Sequence, residues 1–119
     1  RPSLYGSQHP INLVKRKGRV TSDVKNNYIV VGHCCESGDL ISCAPNEPGK
    51  LAPRELPLAE IGDYCVICGA GAYCSGMSAK NYNSFPESAE VLVTEKNGPK
   101  LIRRRQTVEQ MIQNEIIDE

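Results

Sequence analysis

Glycine and proline punctuate this chain from end to end and forbid long regular elements. Ten glycines and eight prolines are spread over 119 residues rather than gathered in one tract. Proline lacks the backbone donor that a helix interior or a central strand needs, and glycine favours turns. The spacing predicts many short elements joined by turns. With five Tyr, one Phe and no Trp, a core here has to be built from Ile, Val, Leu and Ala.

The runs between these breaks are β-like. Strands are predicted over Ile11–Val14, Tyr28–Val31 and Tyr64–Cys68. Two more, Glu90–Thr94 and Lys100–Arg104, flank Asn97-Gly98-Pro99. Apolar strands around Asn-Gly signal a hairpin, and Pro99 points to a loop longer than two residues. Strands at this spacing predict an all-β fold, a β-sandwich or Greek-key-like barrel. Ala44–Pro57 holds four prolines and reads as a surface loop. Thr107–Ile117 reads as a short C-terminal helix packed on the sheet. Thr107 and Gln110 form a capping-box pair, and Val108, Met111, Ile112 and Ile116 share one helical face.

Length predicts a single domain over residues 1–119, too short for a (β/α)8 barrel. Fourteen basic and fourteen acidic side chains cancel, which gives no electrostatic reason to expect nucleic acid or an anionic membrane. No apolar run approaches the roughly 20 residues of a transmembrane helix. The first residues lack the apolar stretch of a signal peptide, so a cytoplasmic location is expected. They also lack an initiator Met, so the chain reads as a processed or truncated piece. Arg103, Arg104 and Arg105 read as a solvated strand end rather than a nucleic-acid patch. His9 and His33 sit in no recognisable ligand constellation and read as structural or surface residues.

Six cysteines, at 34, 35, 43, 65, 68 and 74, raise the question of a disulfide framework. Nothing marks the chain as secreted, so reduced, packed thiols are expected instead. Cys65 and Cys68 form a C-x-x-C. On a strand, an offset of three puts the two sulfurs on opposite faces, which suits neither zinc nor a redox pair. No metal site is expected.

Two stretches look unlike scaffold. Cys35-Glu36-Ser37-Gly38-Asp39 follows a strand end and gathers a thiol, a carboxylate and a turn glycine. Such a loop can present polar groups to a ligand. Gly69-Ala70-Gly71-Ala72-Tyr73 is a run of small residues ending in a phenol. Small residues let a backbone approach a ligand or a neighbouring element closely. The bland alternative is a tight turn whose tyrosine fills space.

At these residues the sequence resembles the diaminopimelate decarboxylases. The blocks are Arg1–Tyr5 (RPSLY) with His9-Pro10-Ile11, CESGD, GAGAY, Met77–Pro86 (MSAKNYNSFP) and Leu101–Thr107 (LIRRRQT). They occur in the family's order and cover essentially the whole chain. The resemblance implies the C-terminal β domain of an enzyme that uses pyridoxal 5'-phosphate. It further implies an N-terminal (β/α)8 barrel that holds most of the cofactor and the Schiff-base lysine. This chain would then be inactive alone, with residues 1–10 as the junction to the barrel.

The implied reaction converts meso-2,6-diaminopimelate to L-lysine and CO2, in lysine biosynthesis. Carried over by position, Arg1 binds the distal carboxylate of the substrate, and a planar guanidinium suits that contact. Tyr5 adds a hydroxyl donor to the substrate. Glu36 accepts from the distal ammonium, and Cys35 lies near the reacting carbon as the catalytic proton donor. Tyr73 contacts both the cofactor phosphate and the substrate. The resemblance also implies a homodimer, with the Cys35–Glu36 loop crossing into the partner's site.

The chain departs from the family pattern at Gly69, where an acidic residue is frequent, and at Phe85, where arginine is. The proline-rich loop and the cluster of Cys65, Cys68 and Cys74 are also unusual. The alternatives are a decarboxylase of ornithine, lysine, arginine or carboxynorspermidine, a free-standing β domain used for binding or assembly, and a small metal-binding domain.

Overall fold

The computed structural model describes residues 2–16 and 22–116. The chain divides into two compact units, Arg1–Ser78 and Ala79–Glu119. Both are built from antiparallel two-stranded ribbons, so the fold is all-β with short helices. Among the described residues no sheet closes into a barrel.

The first unit opens with helix α1 (Pro2–Tyr5). Strand β1 (Ile11–Val14) then pairs with β6 (Tyr64–Ile67), placing Leu13 opposite Cys65 and Ile11 opposite Ile67. The alternation in β1 leaves Ile11 and Leu13 half-buried on one side of the strand and exposes Asn12 and Val14 on the other, as period-two patterning requires. β2 (Lys25–Tyr28) pairs with β5 (Arg54–Pro57), and β3 (Cys43–Ala44) pairs with β4 (Glu47–Leu51) across a bulge. The core is small and lies here: Leu40, Cys43, Ala44 and Leu56 are buried, with Ser3, Lys15 and Ser42 beside them.

Two expectations are corrected in this unit. The strand expected over Tyr28–Val31 lies earlier, at Lys25–Tyr28. Val30 leaves the regular ladder because its N–H donates to Ser42 Oγ and its carbonyl accepts from both Ile41 and Ser42. The segment Ala44–Pro57, expected as a loop, carries β4, β5 and the end of β3. Every strand of a two-stranded ribbon is an edge, so one side of it needs no donors, and there proline is tolerated. Asn46, at φ 57°, makes the β3–β4 turn.

In the second unit β7 (Glu90–Thr94) pairs with β8 (Gly98–Arg103) through the expected hairpin. Its turn holds three residues, between Thr94 and Gly98, and Gly98 adopts a φ of 63° that favours glycine. Arg103 Nη1 lies 3.0 Å from Glu90 Oε2 and 3.3 Å from Glu87 Oε1, so this strand-end arginine is spent on local carboxylates. The C-terminal helix α2 (Val108–Ile112) starts at the expected capping box, with Thr107 and Gln110 bonding reciprocally. It is shorter than expected, ending at Ile112, and residue 117 lies outside the described residues. Val108, Ile112 and Ile116 stay exposed while Met111 is half-buried, so most of the apolar face expected to pack on the sheet is uncovered.

Candidate functional site

The CESGD segment forms a closed loop. An isolated bridge joins Val31 to Leu40, and Gly32 N donates to Asp39 O at 2.9 Å. Asp39 Oδ2 accepts from Cys34 N at 2.8 Å, and Asp39 N donates to Glu36 O at 3.2 Å. A Cβ at residue 32 would overlap the Asp39 carboxylate, so any side chain there would push Asp39 out of the position that closes this loop. Asp39 thus holds the base of the loop while Cys35 and Glu36 stand exposed at its tip. Burial, followed by the charge of Asp39 and its hydrogen bond, pushes the Cys34 thiol up and keeps it protonated. Its Sγ lies 3.6 Å from His33 Nδ1.

Helix α1 is locked to the β3–β4 region and to this loop. Gly6 bends the chain at φ 64° beside Asn46, whose N would lie 3.0 Å from a Cβ at residue 6. Gln8 Nε2 donates to Cys43 O at 3.0 Å, and Gln8 Oε1 accepts from Arg54 Nη2 at 2.6 Å. Arg54 Nη2 also donates to Cys43 O. Ser3 Oγ donates to Gly38 O at 2.6 Å. Tyr5 ends the helix and is exposed. Arg1, expected to bind a carboxylate, lies outside the described residues.

The junction also bonds to Cys68, the residue that precedes the GAGAY turn. Pro10 O accepts from Cys68 N at 2.8 Å. His9 Nδ1 lies 3.0 Å from Cys68 O, and because a carbonyl only accepts, Nδ1 carries the proton. His9 therefore has the structural role expected of it. Tyr73 follows at a φ of 59°, a left-handed conformation that costs a non-glycine residue energy. The residue is 75% exposed. Strain of this kind clusters at functional sites.

The two cysteines of the C-x-x-C have different surroundings, with Cys65 on β6 and Cys68 just past the strand's end at Ile67 rather than on it as expected. Cys65 lines an apolar pocket with Leu13, Tyr28, Val30 and Leu56, and burial pushes its thiol up. Cys68 Sγ instead lies 3.3 Å from Asn12 Nδ2. None of the six cysteines forms a disulfide.

Segment 2–10 therefore lies bonded to the CESGD loop through Ser3 and, through His9 and Pro10, to Cys68, the residue before GAGAY. Tyr5 and Tyr73 make no hydrogen bond to each other among the described residues. The residues that sequence reasoning missed are Ser3, Gly32, Gln8 and Arg54. They act through Gly38, Asp39, Cys43 and each other, contacts that no local sequence pattern marks.

Comparison with known proteins places these features in context. The family described as pyridoxal-dependent decarboxylase, C-terminal sheet domain, matches residues 1–71. The diaminopimelate decarboxylase of Buchnera aphidicola subsp. Baizongia pistaciae is 43% identical over 117 residues, covering 98% of this chain and 27% of the relative. That of Escherichia coli K12 is 41% identical over 119 residues, with the same coverage. Among solved structures, a crystal structure of diaminopimelate decarboxylase superimposes with a TM-score of 0.86 at 39% identity, covering 100% of this chain and 28% of that one. A diaminopimelate decarboxylase from M. jannaschii, in co-complex with L-lysine, gives 0.77 at 32% identity, covering 99% and 24%. The chain spans about a quarter of the length of these relatives. No helix among the described residues is long and apolar enough to cross a membrane.

Proposed function

This chain belongs to the pyridoxal-dependent decarboxylase family as its C-terminal sheet domain, and from that premise we propose that it is part of a diaminopimelate decarboxylase. The reaction is conversion of meso-2,6-diaminopimelate to L-lysine and CO2. The observation that carries this reading is whole-chain similarity to enzymes of that name, with 41–43% identity across 98% of the chain. A second support is local: residues 2–10 bond to the CESGD loop through Ser3 and to Cys68, immediately before GAGAY, through His9.

The cofactor, pyridoxal 5'-phosphate, is held mainly by a barrel domain and supplies the electron sink for decarboxylation when bound. The fit in this chain is at Tyr73, whose exposed phenol can donate to a phosphate oxygen. Arg1 pairs with the distal carboxylate of the substrate, and the Tyr5 hydroxyl donates to the same end. Glu36 accepts from the distal ammonium. Gripping one amino-acid centre decides which of two similar centres reaches the cofactor. Cys35 holds the proton that replaces the lost CO2.

The enzyme acts as a homodimer, with Cys35 and Glu36 entering the partner's site. It works in the cytoplasm, which suits a chain with six thiols and no disulfide. Residues 1–119 form one C-terminal β domain, completed as a β-sandwich or Greek-key-like barrel in the whole enzyme, with residues 1–10 as its junction. Many apolar side chains stay exposed in this chain, including Val31, Ile61, Val93 and Leu101, which supports a domain that packs against more protein.

The test is an assay of the full-length polypeptide for CO2 release from meso-diaminopimelate and for L-lysine formation. Preference for ornithine, lysine or arginine overturns the substrate assignment.

A further inference from the structure

Ser3 sits inside the four-residue helix α1 and is only 6% exposed. Its hydroxyl donates to Gly38 O at 2.6 Å, bridging segments 35 residues apart. A buried hydroxyl needs a partner. This partner belongs to the loop that carries Glu36. A Cβ at residue 38 would collide with Glu36 Oε1, so the carboxylate folds back over the Gly38 backbone. The peptide that Ser3 grips is therefore the peptide against which Glu36 rests.

The surrounding bonds make this link effective. Asp39 closes the loop onto Gly32, Cys34 and Glu36, so a shift at Gly38 is carried to the tip rather than absorbed. At its other end, α1 runs into Gln8, which Arg54 and Cys43 hold. One hydroxyl thus ties a helix ending in Tyr5 to a loop bearing Glu36.

We infer that Ser3 is a positioning residue, whose hydrogen bond to Gly38 fixes Tyr5 and Glu36 relative to each other. The inference rests on the diaminopimelate decarboxylase reading above. Under that reading Tyr5 serves its own subunit's site and Glu36 serves the partner's. The bond then joins elements of two active sites, and its loss loosens the grip on the distal end of the substrate.

The test uses full-length enzyme carrying Ser3→Ala, with kcat, KM for meso-diaminopimelate, the inhibition constant for L-lysine, and Tm. L-lysine keeps the distal amino-acid centre of the substrate, so its inhibition constant reads the grip without the chemistry. KM and the inhibition constant are expected to rise together, roughly five- to tenfold, the loss of about one hydrogen bond. kcat stays within about threefold, because the group that reacts is not removed. Ser3→Thr keeps the hydroxyl and stays within about twofold of wild type in both constants. Should Ser3→Ala not fold, Ser3→Cys serves as the hydroxyl-free variant with the same expected rise. A fall in Tm with both constants unchanged overturns the inference, as does equal impairment of Ser3→Thr. A wild-type enzyme that neither decarboxylates diaminopimelate nor is inhibited by lysine overturns the substrate reading, and this inference with it.

Discussion

Lys15 Nζ lies 2.7 Å from Asp63 Oδ2, and the two side chains are 5% and 3% exposed. Lys15 also donates to Leu58 O at 2.6 Å, and Asp63 Oδ2 accepts from Glu60 N at 2.8 Å. The pair clamps the end of β1 to the turn that launches β6. Removing one partner strands the other charge out of water. Lys15→Met in the full-length protein is expected to lower Tm by roughly 5–10 °C. Adding Asp63→Asn to that variant should recover part of the loss. Calorimetry on the single and double variants checks this, and an unchanged Tm for Lys15→Met contradicts it.

The same pair sets part of the acid sensitivity. The Lys15 hydrogen bond, ahead of the backbone donor at Glu60, holds the Asp63 carboxyl below its usual range. Lys80, with Arg103 beside it, does the same for Glu87. A carboxyl with a lowered folded-state pKa stabilises fully above its unfolded value of about 4. That contribution disappears as pH falls through the folded-state value. Stability should therefore hold near neutrality and decline below about pH 4. Urea unfolding across this window should give a shallower decline for Asp63→Asn than for wild type.

Gly32 is expected to be the least replaceable residue of the CESGD loop. A Cβ there displaces the Asp39 carboxylate and with it the 2.8 Å bond from Cys34 N. Misplacement by about 1 Å can cost roughly a hundredfold in rate. Gly32→Ala should therefore lower kcat/KM for diaminopimelate by more than about tenfold, with soluble dimer retained. Near-normal kcat/KM would mean that the loop tip is not placed by its base.

Sharing of sites can be tested by mixing subunits. Glu36→Ala and Tyr73→Phe enzymes should each be nearly inactive. A heterodimer of the two has one site free of both substitutions, if Glu36 acts across the interface. About a quarter of wild-type activity is expected in a randomised equal mixture, with half the molecules heterodimers and one sound site in each. No recovery after verified subunit exchange counts against the arrangement.

Local signals in this chain are legible in the sequence itself. The β1 alternation, the Asn97–Gly98 hairpin and the Thr107–Gln110 box each depend on residues within a few positions. Pairings set at a distance are not. Val30 is drawn out of a strand by Ser42, twelve residues away, and β4 keeps Pro48 because it is an edge. The site divides in the same manner. The loops that carry Glu36 and Tyr73 stand out as motifs. The Ser3–Gly38 and Arg54–Gln8 bonds join segments 35 and 46 residues apart, which no local pattern encodes.

Tyr73 bears on how this protein can be engineered. Its left-handed backbone costs roughly 1–2 kcal/mol that glycine would not incur. A stability screen would therefore favour Tyr73→Gly, and a consensus of turn preferences would agree with it. Under the proposed function that gain removes the phenol aimed at the phosphate. Selection for robustness and selection for turnover pull this one position in opposite directions, so thermostabilising programmes should hold it fixed.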